Sequence, residues 1–499
     1  METLNFLTYG FSIALQPINL FFCFVGVFIG TLVGVLPGIG PVGAISLLLP
    51  TTFGISPVSA IIMLSGIYYG AQYGGSTTSI LLNIPGEAST VVTCLDGYRM
   101  AQEGRAGPAL GIAAFGSFIA GTVSLIFLMM TAGPLVRVAL KFGPPEYFTC
   151  MVLGLTLLSF LTQGSILRGF IAAVLGFILS QVGLDMVTTQ PRMTYGILNL
   201  EDGLGLVPIV MGLFGLAEIL INLEKIEEVE VFKTKIKNLF PNLKDWKDSL
   251  GAILRGTVSG FFLGVLPGGG AVIASFVSYA LEKKISKHPE RFGSGAIEGV
   301  AGPESANNAA AAGAYVPLFT LGIPANVAMA MLFGALMIHG LTPGPMLLKE
   351  HPEIFWGTVT SMYIGNAMLL VLNLPLIGLW VKLLRVPYKF LFPFILLFCI
   401  IGSYSLQNSM FDVLMMVVFG VVGYIFRKTG FEAAPLVLAF VLGPMLENSL
   451  RQSLVISEGS FWIFFQRPIA AGSLFVALLM IISAIIPFSR IFQVFRKKG

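Results

Sequence analysis

Charge is what this sequence has least of. Only 11% of its 499 residues are Asp, Glu, Lys or Arg, 56% are hydrophobic, and mean hydropathy is +0.88. An ordinary soluble domain carries roughly 25% charged residues, so a water-soluble globular protein is excluded. Cysteine is scarce too: Cys23, Cys94, Cys150 and Cys399 lie far apart among apolar neighbours, which excludes a disulfide framework and reads as buried free thiols. The three histidines, His288, His339 and His351, form no HExxH, and none of the six aspartates is paired within an apolar run. A catalytic set for an intramembrane enzyme is therefore missing. No GxxxxGK[ST] loop is present, which excludes a nucleotide-driven pump. The net charge of +4 is no more than the positive loops of a membrane protein supply, and nucleic-acid binding gains no support.

Apolar length stands in place of charge. Runs long enough to cross a ~30 Å hydrocarbon core recur from residues 17–36 to 469–488, and together they predict about 12 helical spans. Continuous apolar blocks, rather than short alternating segments, argue against a transmembrane barrel. No Lys or Arg precedes the first run and no small-residue cleavage site follows it, so the first helix is expected to remain.

The longest polar interruption, residues 222–249, carries six Lys and six acidic residues and is assigned to the cytoplasmic side. Features recur across it in the same order. GVLPG begins at Gly34 and again at Gly264, NIPGE around Pro85 is echoed by GIPAN around Pro324, and PPEYF near Pro145 resembles VPYKF near Pro387. Such order indicates an internal duplication. The loop after the first GVLPG is uncharged, whereas the loop after the second, EKKISKHPER, is basic, so the copies are expected to be inverted. The positive loops at Arg137 and Lys141 and at Lys382 and Arg385 count against inversion. The expected fold is an all-α polytopic membrane protein with two inverted repeats and re-entrant or broken helices. Residues 1–223 form the first repeat, 224–249 a charged linker, 250–450 the second repeat, and 451–499 an extra C-terminal span with a basic tail.

Each GVLPG puts Pro and Gly where a spanning helix wants neither. Irregular backbone at membrane depth is tolerated only where protein or water satisfies its N–H and C=O groups. Helix ends exposed there attract anions at N-termini and cations at carbonyls. Gly38, Gly40, Gly268 and Gly270 are accordingly candidate cation positions. Polar residues cluster before each Ile-Pro break: Ser76, Thr77, Thr78 and Asn83 in the first half, and Glu304, Ser305, Asn307 and Asn308 in the second. Hydroxyls and amides can hold carboxylate oxygens or a hard cation without an intramembrane positive charge. Individually these side chains equally serve to glue helices together. Two readings stand for Glu304: a proton carrier or Na⁺ ligand, or a boundary acid opening a helix after Gly302 and Pro303. Residues 86–107 read as a surface helix or the outer limb of a hairpin. For Arg192 a loop position is favoured over a contact with an anionic substrate.

GVLPGIGP, YGGSTTSILLNIPGE, the second GVLPGGG and GPESANNAAAAGA together resemble the large membrane subunit of the tripartite tricarboxylate transporters, the TctA family. The resemblance covers nearly the whole chain. It implies a multi-pass protein of the bacterial inner membrane, working with a small membrane subunit and a periplasmic solute-binding protein that delivers citrate-like di- or tricarboxylates. It further implies a secondary symporter driven by Na⁺ or H⁺, without another cofactor, and an elevator-type motion. An organic-anion exchanger or exporter, or a channel or scaffold, is the alternative.

Overall fold

The computed structural model describes residues 2–36, 40–161, 165–185, 187–224, 238–268, 270–384 and 388–485. Among them the chain is helical apart from one two-stranded hairpin, in which β1 (Gly183–Leu184) pairs antiparallel with β2 (Pro191–Arg192). Five helices among the described residues are long and apolar enough to cross a membrane, and several shorter apolar helices accompany them. The protein is an all-α, multi-pass membrane protein. It divides into two units, each drawing segments from both sides of the charged stretch: residues 1–136 with 207–425, and 137–206 with 426–499.

Nine helices of the first unit concern the site: α1 (Pro17–Val35), α2 (Gly40–Leu48), α3 (Pro57–Leu82), α4 (Val91–Gln102), α5 (Ala106–Ala139), α6 (Leu243–Val265), α7 (Gly270–Ile285), α8 (Glu298–Gly313) and α9 (Pro352–Asn373). Local chemistry sets their limits. Ser56 caps α3 by accepting from the Ser59 N–H at 3.2 Å, with Pro57 as the first helical residue, and Asn83 ends it in the left-handed conformation at φ 58°. A reciprocal box between Asn242 and Asp245 starts α6.

Both GVLPG sequences interrupt the helix. α1 ends before Leu36 and α2 begins at Gly40; α6 ends before Leu266 and α7 begins at Gly270. Gly40 and Gly270 open their helices at φ +63° and +46°, which a side chain would resist. Gly38 lies outside the described residues. α6 is longer than its apolar run, because it continues back through Lys247 and Lys244 to Leu243.

Between helices in lipid there is no hydrophobic drive, so small residues that let backbones touch supply the packing. Gly26, Gly30 and Gly34 of α1 rest on the carbonyl oxygens of Met63, Ile67 and Ala71 of α3, with no room for a Cβ. Gly256, Gly260 and Gly264 of α6 rest in the same way on Gly302, Ala306 and Ala310 of α8. Each glycine recurs 230 residues on and each carbonyl 239 residues on. The reverse contacts follow suit: Gly74 lies on the Thr31 carbonyl, and Gly313 on that of Phe261.

In the second unit, helices Pro144–Leu161, Ile166–Leu179, Ala434–Ile456 and Pro468–Ile485 pack together. Buried Asp185 holds the hairpin to the Ala434–Ile456 helix, pairing with Arg192 and, at 2.8 Å, with Arg451. Glu447 pairs with Arg192 at 2.9 Å and Arg451 at 2.7 Å. Arg192 therefore sits in strand β2 of the hairpin rather than in an irregular loop, with its charge answered by two acids.

Candidate functional site

The polar residues of the first unit gather around α8. Its sequence is mostly Ala and Gly, so neighbouring helices come close and the few polar side chains are enclosed. Glu304 is 1% exposed and lies in mid-helix; Glu298 is the acid in the first turn, and Pro303 is inside the helix. This corrects the boundary-acid reading. Pro303 invites a helix start, but tertiary packing carries the helix through it, and Ser275 Oγ of α7 donates to the Pro303 carbonyl at 3.3 Å.

The Glu304 carboxylate accepts a hydrogen bond from Ser76 Oγ of α3 at 2.5 Å and another from Thr93 Oγ1 of α4. No Lys or Arg pairs with it among the described residues. A carboxylate buried without a cation is costly and depends on its hydroxyl donors. One turn further, Asn308 Nδ2 donates to Ser117 Oγ of α5 at 2.7 Å and to the Glu304 carbonyl at 3.1 Å. Residues four apart share a helix face, so Glu304 and Asn308 look toward α3, α4 and α5 together.

Asn307 and Ser305 flank that face. Asn307 is 1% exposed and neither its amide oxygen nor its nitrogen has a partner. At about 100° per residue it falls between the Pro303 side, which meets α7, and the Glu304 side. Ser305 Oγ lies against Gly116 of α5 and is also unpartnered. Each orphaned buried group costs about 1–3 kcal/mol, and such groups call for a reason.

Of the other anticipated positions, Thr78 Oγ1 donates to the Val35 carbonyl at 2.7 Å, joining α3 to the end of α1. Thr77 lines a small cavity with Tyr73, Ser117 and Asn373. Asn83 is the exposed cap of α3, away from this cluster. Gly268, at φ +79°, donates its N–H to the Ala325 carbonyl at 2.9 Å, bringing the second GVLPG turn against the second Ile-Pro break.

Several partners are invisible in sequence. Thr93 and Asp96 lie on α4, read from sequence as a surface helix or hairpin limb, yet both are buried. Asp96 is 0% exposed and one of its oxygens accepts the N–H groups of Gly293, Gly295 and Ala296 at 2.8–2.9 Å, while Tyr279 Oη donates to the other at 2.9 Å. Their three-residue spacing on a polar face was the signal that could have paired them. Tyr73 Oη donates to Asn366 Oδ1, and Asn366 Nδ2 donates to the Phe118 carbonyl at 2.9 Å and Thr122 Oγ1 at 3.0 Å, tying α3, α5 and α9. A larger cavity of about 620 Å³ in the second unit is walled by residues such as Phe170, Phe177 and Met480 and carries no charged group. It does not offer this chemistry.

Comparison with known proteins identifies the family. The family described as the tripartite tricarboxylate transporter TctA family matches residues 20–438. The chain is 53% identical to an uncharacterised 52.8 kDa protein from the TAR-I ttuC′ 3′ region of Agrobacterium vitis, covering 98% of this chain and 97% of that one. It is 55% identical to an uncharacterised protein from the TAR-II ttuC′ 3′ region of the same organism, covering 46% of this chain and 94% of that one. No solved structure matches. With a match over most of its length, and with apolar helices long enough to span a bilayer, this chain belongs to the TctA family and is a multi-pass membrane component of a tripartite tricarboxylate transporter.

Proposed function

We propose that the chain is the permease that carries di- or tricarboxylates inward across the bacterial inner membrane, driven by a Na⁺ or H⁺ gradient. A small membrane subunit and a periplasmic solute-binding protein complete the system. The observation that carries this reading is the enclosed Glu304, held by Ser76 and Thr93 and flanked by the orphaned amide of Asn307. An amide and hydroxyls offer hydrogen bonds to a substrate carboxylate, and Glu304 offers the negative charge that a coupling ion needs.

In this mechanism Asn307, Asn308 and Ser305 of α8, with Ser76, Thr77 and Thr78 of the first half, hold the substrate, and Asn83, at the exposed end of α3, takes no part. The glycine turns at Gly40, Gly268 and Gly270 set carbonyls and helix ends toward the ion. The matched glycine contacts of α1 with α3 and of α6 with α8 support descent of the two halves from one module. Inverted copies then provide alternating access by an elevator-type movement of the part that carries the site. Reconstituted vesicles test the reading: Thr77→Ala or Asn308→Ala should abolish carboxylate uptake while the protein still folds. Normal uptake by both variants refutes this placement of the substrate.

A further inference from the structure

α3, α5 and α9 enclose a cavity of about 10 Å³, lined by Tyr73, Ser76, Thr77, Leu110, Ser117 and Asn373 among others. That volume is at the lower limit for one water-sized guest, and a bare Na⁺ ion is smaller than a water molecule. Five of the lining side chains end in oxygen.

Some of the hydrogens of these groups are committed to partners outside the cavity. Asn373 is 4% exposed; its Nδ2 donates to the Leu369 carbonyl at 2.9 Å, and its Oδ1 has no partner. Tyr73 gives its hydroxyl proton to Asn366, and Ser76 gives its own to Glu304. Ser117 accepts from Asn308 and keeps one proton. The orphaned Asn373 oxygen and the hydroxyl oxygens can turn lone pairs toward a guest, which suits a hard cation. A negative charge stands one hydrogen bond away, because Ser76 Oγ joins the cavity wall to the Glu304 carboxylate. Among the described residues no basic side chain balances that carboxylate, and a buried charge requires balance.

We infer that this cavity is a binding site for a single monovalent cation, Na⁺, with Asn373 Oδ1 and the Ser76 and Ser117 hydroxyl oxygens as ligands and Glu304 as its countercharge. Thr77 and Tyr73 complete the oxygen wall. The site rests on the permease reading and deepens it by naming which ion is held and a place for it apart from the cation positions proposed at the glycine turns. Na⁺ would draw Ser76 and Glu304 of the two halves onto one charge, so ion occupancy would order the surface that faces Asn307 and Asn308.

The test uses the full-length protein in detergent micelles, with thermal unfolding followed in NaCl, KCl and choline chloride at equal ionic strength. The wild type should gain stability saturably with Na⁺ alone. Asn373→Leu, which removes the orphaned oxygen at similar volume, should lose the Na⁺ dependence while still unfolding cooperatively. Ser117→Ala, the smaller change, should weaken apparent Na⁺ affinity at least tenfold, and Glu304→Gln should abolish the effect. Equal midpoints in all three salts for the wild type, or unchanged Na⁺ dependence in both Asn373→Leu and Ser117→Ala, overturn the site. The permease reading fails separately: if Na⁺ stabilises the protein and the variants remove that effect, yet vesicles take up no carboxylate, the cation site stands and the transport assignment falls.

Discussion

Adding one methyl group at Gly30 and at Gly260 gives a sharp test of the paired helix contacts. In each case the new Cβ would meet a carbonyl oxygen of the opposing helix, Ile67 for Gly30 and Ala306 for Gly260, at a distance no real Cβ occupies. The obstacle is backbone, which cannot rotate away as a side-chain tip would, so the helices must separate over neighbouring turns. Overpacking costs typically 1–3 kcal/mol and occasionally more; with backbone as the obstacle, about 3 kcal/mol is expected for each substitution. Gly133 is the control: it lies exposed on α5 with nothing near its missing Cβ, so Gly133→Ala should change stability by less than about 1 kcal/mol, on the favourable side. Reversible unfolding in mixed micelles with increasing denaturing detergent measures all three. Because the two contacts repeat one register, Gly30→Ala and Gly260→Ala should destabilise to a similar extent. Either variant behaving like Gly133→Ala would refute the claim that backbone contact at these glycines joins the helices.

Two further outcomes follow from the buried acids. Asp96→Ala strips an acceptor from three backbone N–H groups and should cost about 3 kcal/mol or more, whereas Asp96→Asn keeps a carbonyl oxygen there and should cost about 1 kcal/mol; proteolysis of the Gly293–Ala296 turn reads the difference. In the second unit Asp185→Ala leaves Arg192 and Arg451 sharing Glu447 alone. Since both arginines are about a third exposed, the loss should be about 1–3 kcal/mol, below the 3–5 kcal/mol of a fully buried pair. Thermal unfolding checks it, and an unchanged midpoint contradicts a clamping role for Asp185.

Composition and apolar runs revealed the class, because a chain with so little charge has only one solvent available to it. The helix breaks at both GVLPG sequences were equally legible, since Pro and Gly act locally whatever surrounds them. Glu304 could be singled out as the costly acid, but not its partners: Ser76 and Thr93 lie more than 200 residues away, and periodicity does not say which helix a face will meet. Pro303 misled for a related reason. Its local preference for a helix start was outweighed by the contacts that α8 makes on all sides. The same holds for α4, whose Asp96 looked solvated until three amides from a distant turn supplied its partners.

The two glycine registers differ by nine residues, 230 against 239, and the surplus lies between the members of the second helix pair. It does not lengthen the helix after the break, which runs from Gly40 through the 3-10 turn Leu49–Gly54 in the first half and over Gly270–Ile285 in the second; it lengthens the connection that follows, residues 55–56 before α3 against 286–297 before α8. Arms of matched reach on tethers of unequal length cannot trade places as mirror images. In the proposed permease, the conformations open to either compartment would then differ in energy even at equal concentrations, so one doorway would be the resting posture.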